Sequence, residues 1–212
     1  MTEPNATDAR RSLTSRNTVA ARWLARRLAA TAITPNQISL ASIGFALIGG
    51  LLMLRPDWPA ALVVAAACIQ LRLLCNLIDG MVAVEGGKGT PVGALYNEIP
   101  DRLADSLLLI AAGYGTGVPV LGWLAALAAA ITAYIRVLGG SLGLPQDFRG
   151  PQAKPHRMAL LTVACLATAM EDVYHGSQYS MVLALCLIVV GTLWTCVART
   201  RAIAQSLKER AP

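Results

Sequence analysis

Six stretches of the chain read as nearly continuous apolar runs, at 36–54, 58–83, 91–113, 118–140, 156–174 and 178–198. A soluble helical protein shows apolar stripes with a period near 3.6 and polar residues on the opposite face, whereas these runs are apolar around most of the helix circumference. Each is long enough to cross a hydrocarbon core, which takes about 20 residues of α-helix. A bilayer admits only helices and closed barrels, and runs of this length and continuity do not suit barrel strands. The pattern predicts an all-α integral membrane protein with six transmembrane helices. Punctuation falls between the runs, at Arg55-Pro56-Asp57, from Glu85 to Pro91, from Gly139 to Pro155, and at His175-Gly176-Ser177. Thr34-Pro35-Asn36 reads as a break and a cap before the first span.

Ahead of that cap, residues 14–33 place Val19, Trp23, Leu24, Leu28 and Ala32 along one helical face and arginines along much of the other. This predicts an amphipathic interfacial helix lying on anionic headgroups. A solvated basic tail would not need Trp23 at that phase. The expected organisation is a single membrane domain over 1–212, with a flexible tail at 1–13, the interfacial helix at 14–33, six spans within 36–198 and a cytoplasmic tail at 199–212. No internal repeat is evident.

The composition agrees, with 55% hydrophobic and only 14% charged residues in 212. A net charge of +6 invites a nucleic-acid reading, but the distribution of the basic residues excludes it. Arg10, Arg11, Arg16, Arg22, Arg26 and Arg27 precede the first span and Lys88 follows the second. Arg149, Lys154 and Arg157 follow the fourth, and Arg199, Arg201, Lys208 and Arg210 follow the sixth. The alternate loops carry Arg55 beside Asp57, the uncharged GYGTGVP, and Glu171 with Asp172. By the positive-inside rule both termini and the loops after spans two and four are cytoplasmic. The opening segment MTEPNATDARRSLTSRN has no apolar stretch before a small-residue cleavage site, so the first span is expected to do the targeting, and the compact loops suit a bacterial inner membrane. Cys68, Cys75, Cys165, Cys186 and Cys196 lie inside expected spans without metal-type spacing and read as small core residues.

Ionisable groups at membrane depth cost several kcal/mol each unless paired or hydrated. Here they are concentrated. The second span ends Arg72-Leu-Leu-Cys-Asn76-Leu-Ile-Asp79-Gly80-Met-Val-Ala83-Val84, and the third begins Gly93-Ala-Leu-Tyr96-Asn97-Glu98-Ile-Pro100-Asp101-Arg102-Leu-Ala-Asp105. Asn76 and Asp79 share one helical face, and Asn97, Asp101 and Asp105 share another. Two neighbouring helices can therefore aim oxygen donors at one point, a donor type that suits magnesium or manganese joined to the phosphate oxygens of a substrate. Gly80 and Gly93 would let a ligand approach the backbone closely. Lys154, His156 and Arg157 start the fifth span at the same level, either to bind a phosphate or as ordinary flanking charges. Arg136, near the end of the fourth span, is expected to face the polar cavity or to snorkel. A packing network without chemistry would not need this spacing over two helices.

The residues Asn76, Asp79, Gly80, Ala83, Val84, Gly93, Asn97 and Asp101 stand at the spacing of D-x-x-D-G-x-x-A-R, eight residues, G-x-x-x-D-x-x-x-D. In this the sequence resembles the CDP-alcohol phosphotransferases (CDP-alcohol phosphatidyltransferases), integral membrane enzymes of phospholipid synthesis. Pro35-Asn36 before the first span, six spans behind an interfacial helix, and Ala153-Lys154-Pro155-His156-Arg157 in the place of a basic loop extend the resemblance. It departs at three positions, with Asn76 and Asn97 for aspartates and Val84 for arginine.

The resemblance implies that an alcohol hydroxyl attacks the β-phosphorus of CDP-diacylglycerol or a similar lipid and expels CMP. It implies one or two Mg2+ or Mn2+ ions held among Asn76, Asp79, Asn97 and Asp101, with Asp101 also the candidate base. Glu98 stands ready as a replacement carboxylate, and Ala83 near the nucleotide. Asp105 has two readings, a catalytic role or a pairing with Arg72 or Arg102. A homodimer is implied by the resemblance alone. Because an amide coordinates without charge, the three departures also favour a second reading, a non-catalytic relative that binds a CDP-lipid or scaffolds other lipid enzymes. A transporter would place polar sites at the midplane on broken, repeat-related helices, and neither feature is present in the sequence.

Overall fold

The computed structural model describes residues 19–210, and among these it is all helical. Its helices are α1 (Val19–Ala29), α2 (Pro35–Met53), α3 (Pro59–Glu85), α4 (Gly93–Gly115), α5 (Pro119–Ser141), α6 (Lys154–His175) and α7 (Tyr179–Arg210). The expected tail at 1–13 and the first five residues of the expected interfacial helix lie outside the described residues.

The punctuation read from the sequence sets the element ends. Thr34 caps α2 through a capping box, its hydroxyl accepting from Gln37 N–H while the Gln37 side chain accepts from Thr34 N–H, and Pro35 fills the first turn. Gly176, in the left-handed region at φ 62°, closes α6. Glu171 then receives Ser177 Oγ and the backbone N–H groups of Tyr179 and Ser180, which ties the end of α6 to the start of α7.

The six long helices close into a ring. α2 packs on α3 and α4, α3 on α6, α6 on α7, α7 on α5, and α5 on α4. Its inner lining at mid-depth comes from all six, including Ala46, Ala65, Leu108, Ala125, Leu161 and Leu185. Alanine and glycine at the contacts let backbones approach, which is how helices associate in lipid. At the α4–α5 crossing, a Cβ on Gly113 would come within 2.7 Å of Gly122 Cα, so only glycine fits. Leu47, Val63, Trp123, Leu127, Val163 and Trp194 point outward and exposed, an apolar surface that only lipid satisfies. The protein is an integral membrane protein. Of the six expected spans, α2, α3, α5 and α7 are long and apolar enough to cross a membrane by length and composition. α4 and α6 fall outside that group, α4 carrying Glu98, Asp101, Arg102 and Asp105, and α6 carrying Lys154 and Arg157 at one end and Glu171 and Asp172 at the other.

Two boundaries differ from expectation. The interfacial helix was expected to run to residue 33, but α1 stops at Ala29, where Thr31 bonds back to Leu28 and the chain turns into the cap of α2. Of the expected apolar face, Val19 and Trp23 are exposed, while Leu24 and Leu28 lie beside Ala21 and Ala25, which pack on Ile78, Met81 and Val82 of α3. Small residues allow that close approach, leaving Trp23 outward under the Arg27 guanidinium at 5.3 Å. The tail expected at 199–212 continues α7 to Arg210. No Gly or Pro interrupts 199–210, and the extension is anchored by Arg199 and by Ile203 against Gly139. The five cysteines are free, three buried and two partly buried, as core residues would be.

Candidate functional site

One end of the ring opens into a cavity of about 760 Å³, where the N-termini of α2, α4 and α6 meet the C-terminal ends of α3 and α5 and the middle of α7. α3 and α4, expected as packed neighbours, scarcely touch; α2 packs against both, and they face each other at the cavity through their polar side chains.

The cavity gathers Asn76, Asp79, Gly80 and Ala83 from α3 and Gly93, Asn97, Glu98 and Asp101 from α4, with Arg136 from α5 and Lys154 and Arg157 from α6. A Cβ on Gly93 would meet only Thr90 Oγ1, at 3.5 Å, so the backbone there is open to a ligand. Val84 is exposed and lies away from the cavity. His156 is also exposed and does not line it. On a helix that begins at Lys154, residues 154 and 157 share a face and 156 projects from the other side.

Asp79 is buried and accepts a 2.5 Å hydrogen bond from Ser39 Oγ of α2. It lies within electrostatic range of Asp101 and Lys154. Asp101 is the most heavily partnered acid. Its Oδ1 accepts from Arg72 Nη2 at 3.2 Å and from Asn76 Nδ2, its Oδ2 accepts from Lys154 Nζ, and Arg102 Nη2 stands 3.8 Å from Oδ2. Because Asn76 gives its N–H to Asp101, its amide oxygen is left as the acceptor end. Glu98 is held at both oxygens, by Arg136 at 2.5 Å and Arg102 at 2.9 Å.

Below the cavity floor, Asp105 pairs with Arg72 at 2.5 Å and Arg157 at 3.4 Å, all three essentially without solvent contact. Of the pairings expected for Asp105, Arg72 forms and Arg102 does not; Arg157 takes its place. Arg157 also donates to Gln152 O at 2.6 Å. A buried unpaired charge costs several kcal/mol, so these pairs lock the relative depth of α3, α4 and α6.

Sequence reasoning missed four contributors. Arg199 of α7 lines the cavity, donating to Thr132 O and Arg149 O at 2.9 Å each. Arg102 stands between Glu98 and Asp101. Ser39 orients Asp79. Lys88, also on the wall, donates to Thr31 O and Ile33 O and so ties the α3–α4 loop to the linker behind α1. The signal for Arg199 was its position at the end of an apolar run, where flanking charge and functional charge look alike.

Among the described residues no group of three or more His, Cys, Asp or Glu side chains is assembled as a metal cage. The oxygen donors of Asp79, Asn76 and Asn97, all on the cavity lining, are of the hard type that suits magnesium or manganese. A second ion would have to draw on Asp101 and Glu98, whose oxygens carry ammonium or guanidinium partners.

Residues 32–197 match the family model described as CDP-alcohol phosphatidyltransferase. The chain is 31% identical to the phosphatidylinositol phosphate synthase of Corynebacterium glutamicum, over 79% of this chain and 76% of that one. It is 25% identical to the inner membrane protein YnbA of Escherichia coli, over 81% and 84%. Its fold resembles crystal structures of the Mycobacterium tuberculosis phosphatidylinositol phosphate synthase. The form with CDP-DAG bound has a TM-score of 0.73 at 20% identity, covering 86% of this chain and 92% of that chain. The form in complex with manganese and citrate has the same TM-score and identity, covering 86% and 88%.

Proposed function

The chain belongs to the CDP-alcohol phosphatidyltransferase family, and from that premise we propose that its acceptor is a phosphorylated polyol of the inositol phosphate class. The protein is a membrane transferase of phospholipid biosynthesis that moves a substituted phosphate from a CDP-linked lipid to an alcohol and releases CMP. The observation that carries the choice of acceptor is the charge of the cavity wall away from Asp79. There Arg136, bonded to Gln146, and Arg199 line the cavity, a pair suited to a phosphate that a plain alcohol would not bring. The curated relative from Corynebacterium, a phosphatidylinositol phosphate synthase, supports the same reading.

The family is metal-dependent, and in this reading one Mg2+ or Mn2+ is held by Asp79 with the amide oxygens of Asn76 and Asn97. When bound, the ion neutralises charge on the donor diphosphate. Gly80, Ala83 and Gly93 leave room for the nucleotide and lipid phosphates. The acceptor oxygen forms a bond to the β-phosphorus, the bond from that phosphorus to the CMP oxygen breaks, and the hydroxyl proton passes to Asp101. Phosphoryl transfer of this type depends mainly on positioning and electrostatic stabilisation, so a carboxylate held in place is enough for the proton. Arg72 and Asn76 fix Asp101 Oδ1, which sets the direction from which Oδ2 meets the acceptor.

The reading includes six membrane-crossing helices in one membrane domain. It places the site and both termini on the cytoplasmic side of a bacterial inner membrane, as the basic residues support, and takes the assembly as a homodimer. The test is CMP release by purified enzyme from CDP-diacylglycerol with a panel of acceptors. Release with inositol phosphate, and little with unphosphorylated inositol or serine, is expected. Equal rates with unphosphorylated alcohols would overturn the choice of acceptor, and CDP-lipid binding without CMP release from any acceptor would select the non-catalytic relative.

A further inference from the structure

The cavity wall carries six cationic side chains, Lys88, Arg102, Arg136, Lys154, Arg157 and Arg199, against three carboxylates, Asp79, Glu98 and Asp101. Resting on the reading above, we propose that Lys154 supplies as a fixed protein cation the charge that a second divalent ion would bring, so that the site binds its diphosphate with one ion.

Three observations converge on Lys154. It is the first residue of α6, a helix with no acidic residue in its first turn. Lysine and arginine there face the positive end of the helix dipole, an unfavourable placement unless anions across the cavity compensate. Asp101 does so for Lys154 and Asp105 for Arg157, both from α4. The Lys154 ammonium also occupies Oδ2 of Asp101, the oxygen a second ion would need, while Oδ1 is taken by Arg72 and Asn76. An ion placed there would displace one cation to install another.

The amides of Asn76 and Asn97 complete the argument. Carboxylates at those two positions would add two negative charges, the quantity one divalent ion cancels. With Arg157 neutralised by Asp105, the remaining cationic excess of the wall plus one divalent ion matches the ~4 negative charges of a donor diphosphate and an acceptor phosphate at pH 7. A second ion would overshoot. Lys154, with three N–H donors, keeps Asp101 and adds a phosphate oxygen of the donor once it enters.

The experiment counts Mn2+ by electron paramagnetic resonance in the purified full-length protein with CDP-diacylglycerol and no acceptor, alongside CDP-diacylglycerol affinity at fixed Mn2+. One Mn2+ per chain is expected for the wild type, and two for a variant combining Asn76→Asp, Asn97→Asp and Lys154→Gln. Lys154→Gln alone is expected to weaken CDP-diacylglycerol binding roughly ten-fold or more, with Lys154→Arg largely restoring it. Two Mn2+ in the wild type would overturn the proposal without any variant having to fold, as would unchanged lipid affinity in Lys154→Gln. Neither readout requires turnover, so a wrong choice of acceptor shows in CMP release while a wrong role for Lys154 shows here.

Discussion

Arg72 on α3 meets Asp105 on α4 at 2.5 Å, with both side chains buried, although the backbones of the two helices scarcely approach each other. The same guanidinium reaches Asp101 one turn nearer the cavity. One arginine thus links the frame of the ring to the acid proposed for proton transfer.

Removing that link is expected to be costly. Arg72→Met strands Asp105 beside Arg157 alone and is predicted to destabilise the protein by about 3–5 kcal/mol. The triple change Arg72→Met, Asp105→Leu and Arg157→Met removes the whole buried triad and should cost clearly less, because none of its charges is left without a partner. Denaturant unfolding in detergent checks both; equal losses for the single and triple variants would mean that packing, not charge, sets the value.

Asp101→Asn keeps the size of the side chain but removes the proton acceptor. CMP release should fall by about a hundredfold or more while CDP-lipid binding persists. Asp79→Asn is expected to differ, losing Mn2+ binding as well, so a metal titration on each variant separates the two roles.

The arginines on the other wall should act on the acceptor. Arg136→Ala is predicted to raise the KM for inositol phosphate roughly ten- to a hundredfold, the range for losing a charge-assisted hydrogen bond, with donor affinity little altered. A fall in kcat with unchanged KM would instead place Arg136 at the reacting phosphorus.

The C-terminal extension of α7 is predicted to be part of the fold. A chain ending at residue 198 loses Arg199, with its bonds to Thr132 and Arg149, and the Ile203 contact at Gly139. It should melt lower and lose activity, whereas a chain ending at residue 210 should match the full length. Wild-type melting of the shorter chain would restore the view of this segment as a tail.

Gly113→Ala inserts a methyl where the α4 and α5 backbones touch and should destabilise the protein by about 1–3 kcal/mol. Gly44→Ala, where nothing lies within 4 Å of the new methyl, is the matched control. Thermal melts of the two variants in parallel make the comparison.

The expected spans agree with the helices in order and nearly in extent, because the cost of exposing backbone polar groups to lipid forces each long apolar run into a helix wherever its neighbours lie. Proline and glycine ended those helices by local geometry, as at Thr34-Pro35 and Gly176. The spacing of Asn76, Asp79, Asn97 and Asp101 was legible for the same reason: a helix fixes which residues share a face. The choice of partner for each charge was not. Whether Glu98 stays free or takes two arginines, whether Asp105 answers to Arg72, Arg102 or Arg157, and whether Lys154 flanks a span or sits on Asp101 depend on the ring order that sets α3 opposite α4 and brings α6 and α7 behind them. Helix formation is settled within a few turns of chain, whereas ion pairing is settled by distances between residues up to about fifty positions apart, which only the packed ring defines.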